Sequence, residues 1–249
     1  MKLAFADRAF WLGDPDFVTV PRGLISRQYA EKLAGRISPT NAVKVAGHSN
    51  ASDFGPGALG KHTTHFSAAD AEGNWVACTA TVNTSFGSKV IIPGTGIIMN
   101  NQLDDFSAQP GVANFFGLVG AEANAVAPRK RPLSSMSPTI VLKNGRPFLS
   151  LGAAGGPTII SQTVINIINL IDYKMPLEKV LASPRIHHQW IPNELRVEPL
   201  DKEVAQQLRE RGHNVVEVHK AGAAQIVVKG ERAFEAAHDP RLEGKAAGW

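Results

Sequence analysis

Cysteine is almost absent from this 249-residue sequence: Cys78 stands alone, which excludes an internal disulfide framework. It lies in an apolar, strand-like run, where a packed thiol is the expected role. Also missing is any apolar stretch long enough to span a bilayer, and the opening residues Met1 to Arg8 meet charge too early for the apolar core of a signal peptide. Charge of either sign is sparse, 19% in all with a net +4. The basic residues are scattered except for Arg129, Lys130 and Arg131 beside Pro128 and Pro132, a trio expected to form a solvated turn and not a nucleic-acid surface. No internal repeat is visible. What the sequence does hold is an ordinary apolar fraction of 43%, enough for one domain with its own core and an N-terminal appendage.

Residues 1 to about 47 read as a short helix, a Gly13-Asp14-Pro15-Asp16 turn and a second helix near Ser26 to Leu33. Gly47 to Lys61 is rich in Gly, Ser, Asn and Pro without periodicity and reads as an exposed linker. Beyond it, Thr63 to Asp70 and Asn74 to Asn83 alternate as strands around Ala71-Glu72-Gly73, a three-residue hairpin loop with Gly73 left-handed. If Asp70 faces Asn74, Thr63 faces Thr81. Period two then puts Thr63, His65, Thr79, Thr81 and Asn83 on one polar face, and Phe66, Val76, Cys78 and Val82 on an oily one.

A second hairpin joins Thr139 to Lys143 and Arg146 to Leu151 through Asn144-Gly145, a type I′ signal. Gly152-Ala153-Ala154-Gly155-Gly156 then runs into Pro157, a suitable helix start. Ile160, Val164, Ile167, Ile168 and Ile171 recur at helical spacing, so a long core helix is expected. A helix from Lys202 to Arg211 closes at Gly212, and Ala223 to Ala236 reads as another hairpin. Hairpins with packed helices indicate an α+β layered sandwich.

Thr63-Thr64-His65 alone is an ordinary strand. With it stand Thr81-Val82-Asn83, Phe86-Gly87, Gly94-Thr95-Gly96-Ile97, Asn100 to Phe106, Lys130 to Pro138, Gly155-Gly156, Pro184 to Trp190 and Asp239-Pro240-Arg241. In this order they resemble the small subunit of gamma-glutamyltranspeptidases. Ala4-Phe5-Ala6-Asp7-Arg8 and Gly13-Asp14-Pro15-Asp16-Phe17 resemble the end of that family's large subunit. The resemblance implies residues 1–62 as large-subunit tail and linker and 63–249 as the catalytic small-subunit-like domain. It also implies an αββα sandwich of the N-terminal-nucleophile hydrolase type, incomplete in this chain, with sheet edges and apolar faces left uncovered.

The same resemblance implies self-cleavage between His62 and Thr63, after which the freed Thr63 amine is a local base for the Thr63 hydroxyl. Thr81 would bond that amine, and the Gly155 and Gly156 amides would bind an oxyanion. Gln102 and Asp105 would hold a substrate α-amino group, and Asn83, Ser134 and Ser135 its α-carboxylate. Substrates would be gamma-glutamyl compounds such as glutathione, acceptors would be water, amino acids or peptides, and the partner a large-subunit-like chain. No cofactor is implied. For His187-His188 a metal role is disfavoured, with no carboxylate or cysteine at ligand spacing, and buried hydrogen bonding is expected instead. Asp7-Arg8 is expected to form a local ion pair or cap.

Three departures follow from the family pattern. The arginine that grips the substrate α-carboxylate has no counterpart here, Phe116 replaces a tyrosine in the lid segment Ser107 to Leu118, and the several hundred preceding residues are absent. The alternatives are a glutaryl or cephalosporin-type acylase and an inactive remnant. The family's full-length pattern would place the protein in the periplasm or outside the cell.

Overall fold

The computed structural model describes residues 1–48 and 63–248. The expected linker, apart from Gly47 and His48, lies outside the described residues, and so does His62. In chain order the elements are α1 (Lys2–Trp11), α2 (Arg27–Ala34), β1 (Thr63–Ala69), β2 (Trp75–Thr81), β3 (Thr139–Lys143), β4 (Arg146–Ala154) and α3 (Thr158–Ile171). They continue with α4 (Leu177–Ala182), β5 (Ile186–His187), β6 (Leu195–Val197), α5 (Lys202–Glu210), β7 (Val215–Glu217), β8 (Ala223–Lys229) and β9 (Phe234–His238). They group into two compact units that interleave along the chain. One holds the described residues of Met1–Leu59 with Gln102–Ser134 and His187–Val218; the other holds those of Gly60–Asn101, Ser135–Ile186 and His219–Trp249.

The second unit is layered. Its four-stranded antiparallel sheet runs β3-β4-β8-β9, with Asn144 and Gly145 both at positive φ in the β3–β4 turn as a type I′ turn requires. Because β4 alternates, Leu149, Leu151 and Ala153 point one way, into a core completed by Ile159, Leu177, Val180 and Leu181 from α3 and α4 and by Ala224, Ile226 and Val228 from β8. Ser150 and Gly152 point the other way, where the β1–β2 hairpin lies on them. The hairpin has the register read from its loop, Thr63 opposite Thr81 and His65 opposite Thr79. Its polar face is the inner one, with His65 buried, while Phe66 is 54% and Val76 44% exposed. This unit is therefore helix, sheet, sheet, and among its described residues no helix lies over the oily face.

Asp239 ties the end of this unit to its middle. The fully buried carboxylate pairs with the buried Arg185, accepts the Ala224 amide at 2.8 Å and the Arg241 amide at 2.9 Å, and lies 3.2 Å from Arg241 Nη1. Arg241 in turn donates to the carbonyls of Leu181 and Ser183. The Pro184-Arg185 and Asp239-Pro240-Arg241 motifs are thus two halves of one clamp.

The first unit carries α1, α2, α5, the parallel pair β6–β7 and the irregular stretch 102–134. Ser26 caps α2 by accepting the Tyr29 amide. Asp14 is buried and accepts from the Arg131 amide at 2.8 Å, Nε at 3.0 Å and Nη2 at 2.6 Å. Those hydrogen bonds hold its carboxyl well below the usual carboxylate range.

One expectation needs correction and two need extending. Arg131 is exposed, as a solvated turn requires, and its guanidinium also anchors the Asp14 turn. Asp7 accepts the Tyr29 hydroxyl at 2.8 Å, while Arg8 turns to a cavity on the first unit, so the Asp7-Arg8 pair does more than cap its own helix. In α3 the stripe expected in the core is largely outside: Val164 is 51%, Ile168 38% and Ile171 41% exposed. Thr158, Ile159, Ser161, Gln162, Thr163 and Asn166 are buried instead. The polar stripe turns inward because it bonds the turn that starts the helix: Gln162 Nε2 donates to Ala154 O at 3.2 Å and to Thr158 Oγ1 at 2.9 Å, and Thr158 Oγ1 donates to Gly155 O.

Asp239→Ala leaves Arg185 as an uncompensated buried charge, and a loss of about 3–5 kcal/mol in unfolding free energy is expected. Urea denaturation followed by circular dichroism measures it; a loss below about 1 kcal/mol would show that the clamp is dispensable.

Candidate active site

Thr63 opens β1, and its hydroxyl donates to Thr81 Oγ1 at 3.1 Å across the hairpin. Thr81 Oγ1 also accepts the Asn83 amide at 2.8 Å. That bond folds the chain back just past the strand, where Asn83 sits at φ 77°, a conformation asparagine tolerates better than most residues. Asn83 is buried and its side-chain amide donates to Asn101 O at 3.1 Å. Thr63, Thr81 and Asn83 are therefore gathered at one end of the hairpin, all on the second unit.

Below this end runs a polar ladder. His65 Nδ1 is 2.7 Å from Thr79 Oγ1 and its Nε2 is 3.0 Å from Ser67 Oγ. Ser67 Oγ lies 3.0 Å from Ser150 Oγ, which donates to Val76 O at 2.7 Å. The ring lies so close to β4 that a Cβ at residue 152 would sit 2.4 Å from His65 Cε1 and Nδ1, so only glycine fits there. Burial pushes the imidazole down to about 4, and it is neutral at pH 7.

Gly155 and Gly156 follow β4 with φ of 139° and 58°. A Cβ on Gly155 would lie 2.4 Å from Thr158 Oγ1 and 2.9 Å from Gly222 Cα. Among the described residues neither glycine amide donates a hydrogen bond, so two successive donors are left for an incoming oxygen.

The remaining expected residues are divided. Gln102 and Asp105 share a short 3-10 turn on the first unit, with Gln102 Nε2 donating to Asp105 Oδ2 at 2.8 Å. Asn124 Nδ2 holds the Asp105 carbonyl at 2.8 Å. Burial raises the Asp105 carboxyl to about 6, Asp104 adds to the rise, and Arg8 and the Gln102 bond oppose it. Ser134, exposed, belongs to the first unit, and Ser135, half-buried, to the second. In the lid segment Phe116 is buried and its carbonyl accepts Gln189 Nε2 at 3.1 Å. His187 Nε2 bonds Gln189 Oε1 at 3.0 Å and His188 Nδ1 accepts the Trp190 amide at 3.1 Å, the buried structural bonding expected of that pair.

Sequence reasoning missed four contributors: Gln162 behind the glycine turn, Ser67 and Ser150 in the ladder, and Arg8. A signal for Gln162 was present in the Thr158, Ser161, Gln162 and Asn166 spacing, which marks a polar helical stripe as clearly as the isoleucines mark an apolar one. Ser150, by contrast, alternates with Leu149 and Leu151 as any solvent-facing strand residue would.

The layered α+β fold and a threonine opening its hairpin strand define the class, the N-terminal-nucleophile hydrolase type. A family model described as Gamma-glutamyltranspeptidase matches residues 1–249, and the chain belongs to that family. It is 44% identical over 247 residues to the glutathione hydrolase proenzyme of Escherichia coli (strain K12), a match covering 96% of this chain and 42% of that protein. It thus spans about two fifths of the curated relative's length. Among solved structures it resembles the gamma-glutamyltranspeptidase of Pseudomonas nitroreducens, 41% identical with a TM-score of 0.72, over 75% of this chain and 99% of that one. It also resembles the cephalosporin acylase of Bacillus halodurans, 26% identical with a TM-score of 0.82, over 100% of this chain and 43% of that one.

Two predictions rest on the ladder. Gly152→Ala should cost about 1–3 kcal/mol of stability through overpacking, and much less in a His65→Ala background; equal costs in both backgrounds, from a double-mutant cycle, would show that the ring is not the obstacle. A neutral buried histidine gives stability that is full above its ordinary pKa of about 6.5 and lost as pH falls toward 4. Wild-type unfolding free energy should therefore drop between pH 6.5 and 4 more steeply than that of His65→Gln.

Proposed function

We propose that this chain is the catalytic portion of a gamma-glutamyltransferase or glutathione hydrolase, with Thr63 as nucleophile after cleavage of the His62-Thr63 bond. The observation that carries the reading is the Thr63–Thr81–Asn83 arrangement, a threonine hydroxyl at a strand start held by a second hydroxyl that is itself fixed by the chain reversal. The scissile bond lies outside the described residues. Support for its position comes from the solved relative whose near-complete length matches 75% of this chain, the fraction that lies from Thr63 onward.

The free Thr63 amine, with a pKa of about 8, takes the hydroxyl proton as Oγ1 attacks the gamma-carbonyl carbon. Thr81 orients the nucleophile. The carbonyl oxygen becomes an oxyanion received by the Gly155 and Gly156 amides. As the C–N bond breaks, the protonated amine of Thr63 returns its proton to the leaving group, and the gamma-glutamyl ester on Thr63 remains. Water or an acceptor amine then attacks the ester and releases Thr63. Asp105 and Gln102 take the substrate's α-amino group, and Asn83, Ser134 and Ser135 its α-carboxylate. A large-subunit-like chain or segment is the proposed source of a cation for that carboxylate.

The cephalosporin-type acylase reading has the fold similarity in its favour. Against it stand the higher identity to the glutathione hydrolase relative and the Gln102–Asp105 pair, which suits a cationic α-amino group that a glutaryl side chain lacks.

Co-expression with a large-subunit core from a close relative should yield cleavage at His62-Thr63, read by intact mass. An uncleaved chain in a stable complex would refute the processing step, and Thr63→Ala should abolish cleavage. In the cleaved complex Asp105→Asn should lower kcat/KM for a gamma-glutamyl anilide by about 2–5 kcal/mol in transition-state terms, a larger loss than that of Thr63→Ser. The chain by itself should release no anilide above a Thr63→Ala control while circular dichroism still reports strand and helix.

A further inference from the structure

The first unit contains a cavity lined by Arg8 and Ala9 of α1, Asp105 to Ser107, Asn114, Leu118 to Gly120, Asn124 and Leu133. A guanidinium and a carboxylate share its wall. The backbone fixes both sides. Ala9 O accepts the Ala121 amide at 2.9 Å, which pins α1 to the turn carrying Asn124. Asn124 Nδ2 holds the Asp105 carbonyl at 2.8 Å, and its own carbonyl accepts the Ser107 amide at 2.9 Å. These bonds tie the backbone that carries Arg8 and the backbone that carries Asp105 to the same turn.

The fit around the pair is close. A Cβ on Gly120 would lie 2.0 Å from Ser107 Oγ, so a larger residue there would have to displace that hydroxyl. Asp104 from the same turn and Arg8 from α1 are the charged groups acting on Asp105, with Gln102 as a neutral donor. The wall segments Asn114, Leu118 to Gly120, Asn124 and Leu133 present no titratable group to it.

We propose that Arg8 is a positioning residue for Asp105: its guanidinium, on the wall of the same cavity, keeps the carboxylate ionised so that it can receive a cationic amino group at neutral pH. The inference rests on the reading of Asp105 as the α-amino acceptor. Burial and Asp104 both push the Asp105 carboxyl upward, to about 6, and Arg8 opposes them. Without that cation the carboxyl would be largely protonated near pH 7 and would lose the charge that recognises an ammonium group. Burial brings the Arg8 guanidinium itself down only to about 10, with Asp105 countering the fall, so it stays cationic throughout.

The test uses the full chain and NMR. In the wild type, carbon-13 titration of the Asp105 carboxyl and the nitrogen-15 shift of Arg8 Nε should report one shared midpoint; an Arg8 resonance that ignores the Asp105 titration overturns the proposal even if no variant folds. In Arg8→Gln the Asp105 midpoint should rise by about 1–3 pH units, and Arg8→Lys should return most of that shift. An unmoved midpoint in a folded Arg8→Gln chain also overturns it. In the complex with a large-subunit core, Arg8→Gln should raise KM for a gamma-glutamyl anilide below pH 8 and leave KM near the wild-type value at higher pH. If the NMR coupling is present but Asp105→Asn leaves KM unchanged, the acceptor reading of Asp105 has failed and the Arg8 coupling has not.

Discussion

The ring of His65 lies against β4 at the one residue of that strand's inner face that has no side chain, and the height of the whole β1–β2 hairpin is set there. A methyl group at residue 152 would meet the ring at 2.4 Å, while the hydroxyls of Ser67 and Ser150 close the contact on the next rung. Since strand side chains alternate, seating His65 also decides where Thr63 and Thr81 stand, two residues along on the same face. The Gly155-Gly156 turn is the continuation of β4 itself, so the candidate nucleophile and the candidate oxyanion donors are both placed against one strand. A polar inner face is costly to bury unless each group is bonded, and here both imidazole nitrogens have hydroxyl neighbours.

That economy explains what could be read from the residues alone. The Thr63–Thr81 register was legible because a three-residue loop and a two-residue period are local properties, and Asn144-Gly145 announced its turn for the same reason. The Pro157 helix start was legible too. What could not be read was which face of α3 meets the sheet. Its apolar stripe and its polar stripe are both well formed, and periodicity identifies a stripe without saying what covers it. The inward face is mixed: Ile159, Ile167 and Leu170 reach the core, while Gln162 beside them bonds Ala154 O and Thr158 at the glycine turn, and Val164 and Ile168 are left outside. Arg8 escaped for a different reason: its partner, Asp105, is nearly a hundred residues away in sequence.

The two families of candidate residues are held by different physics. Thr63, Thr81 and Asn83 are fixed by neutral hydrogen bonds on a regular hairpin, whose geometry is insensitive to salt and to pH above the histidine range. Gln102 and Asp105 sit on a short irregular turn whose usefulness depends on charge. Burial raises the Asp105 carboxyl toward neutrality, and an acid poised near 6 is a sensitive receptor for an ammonium group: a substrate that brings a cation favours the ionised form by the same interaction that binds it. The hairpin residues and the Gln102–Asp105 turn can therefore respond differently to pH within one protein.

Exposure of Phe66 and Val76 on the hairpin, and of Val164, Ile168 and Ile171 on α3, bears on how this chain holds together. In the second unit the layers are helix, sheet, sheet, and both outer surfaces of that stack carry apolar side chains. A sheet buried on one face only is a tolerable arrangement for antiparallel strands when the outer residues are polar, but here the solvated face of β1–β2 is the oily one and the packed face is polar. The inversion makes sense for a hairpin that receives a further layer, since the polar groups then sit between two sheets beside Thr63 and the apolar groups face a helix-covered core. It makes little sense for a hairpin that ends in water. The family's greater length, of which this chain covers about two fifths, is the natural source of such a layer, and the same argument places the clamp of Arg185, Asp239 and Arg241 in a clear light. Deep in the second unit, it gives the sheet and its helices a cohesion that does not depend on those outer faces.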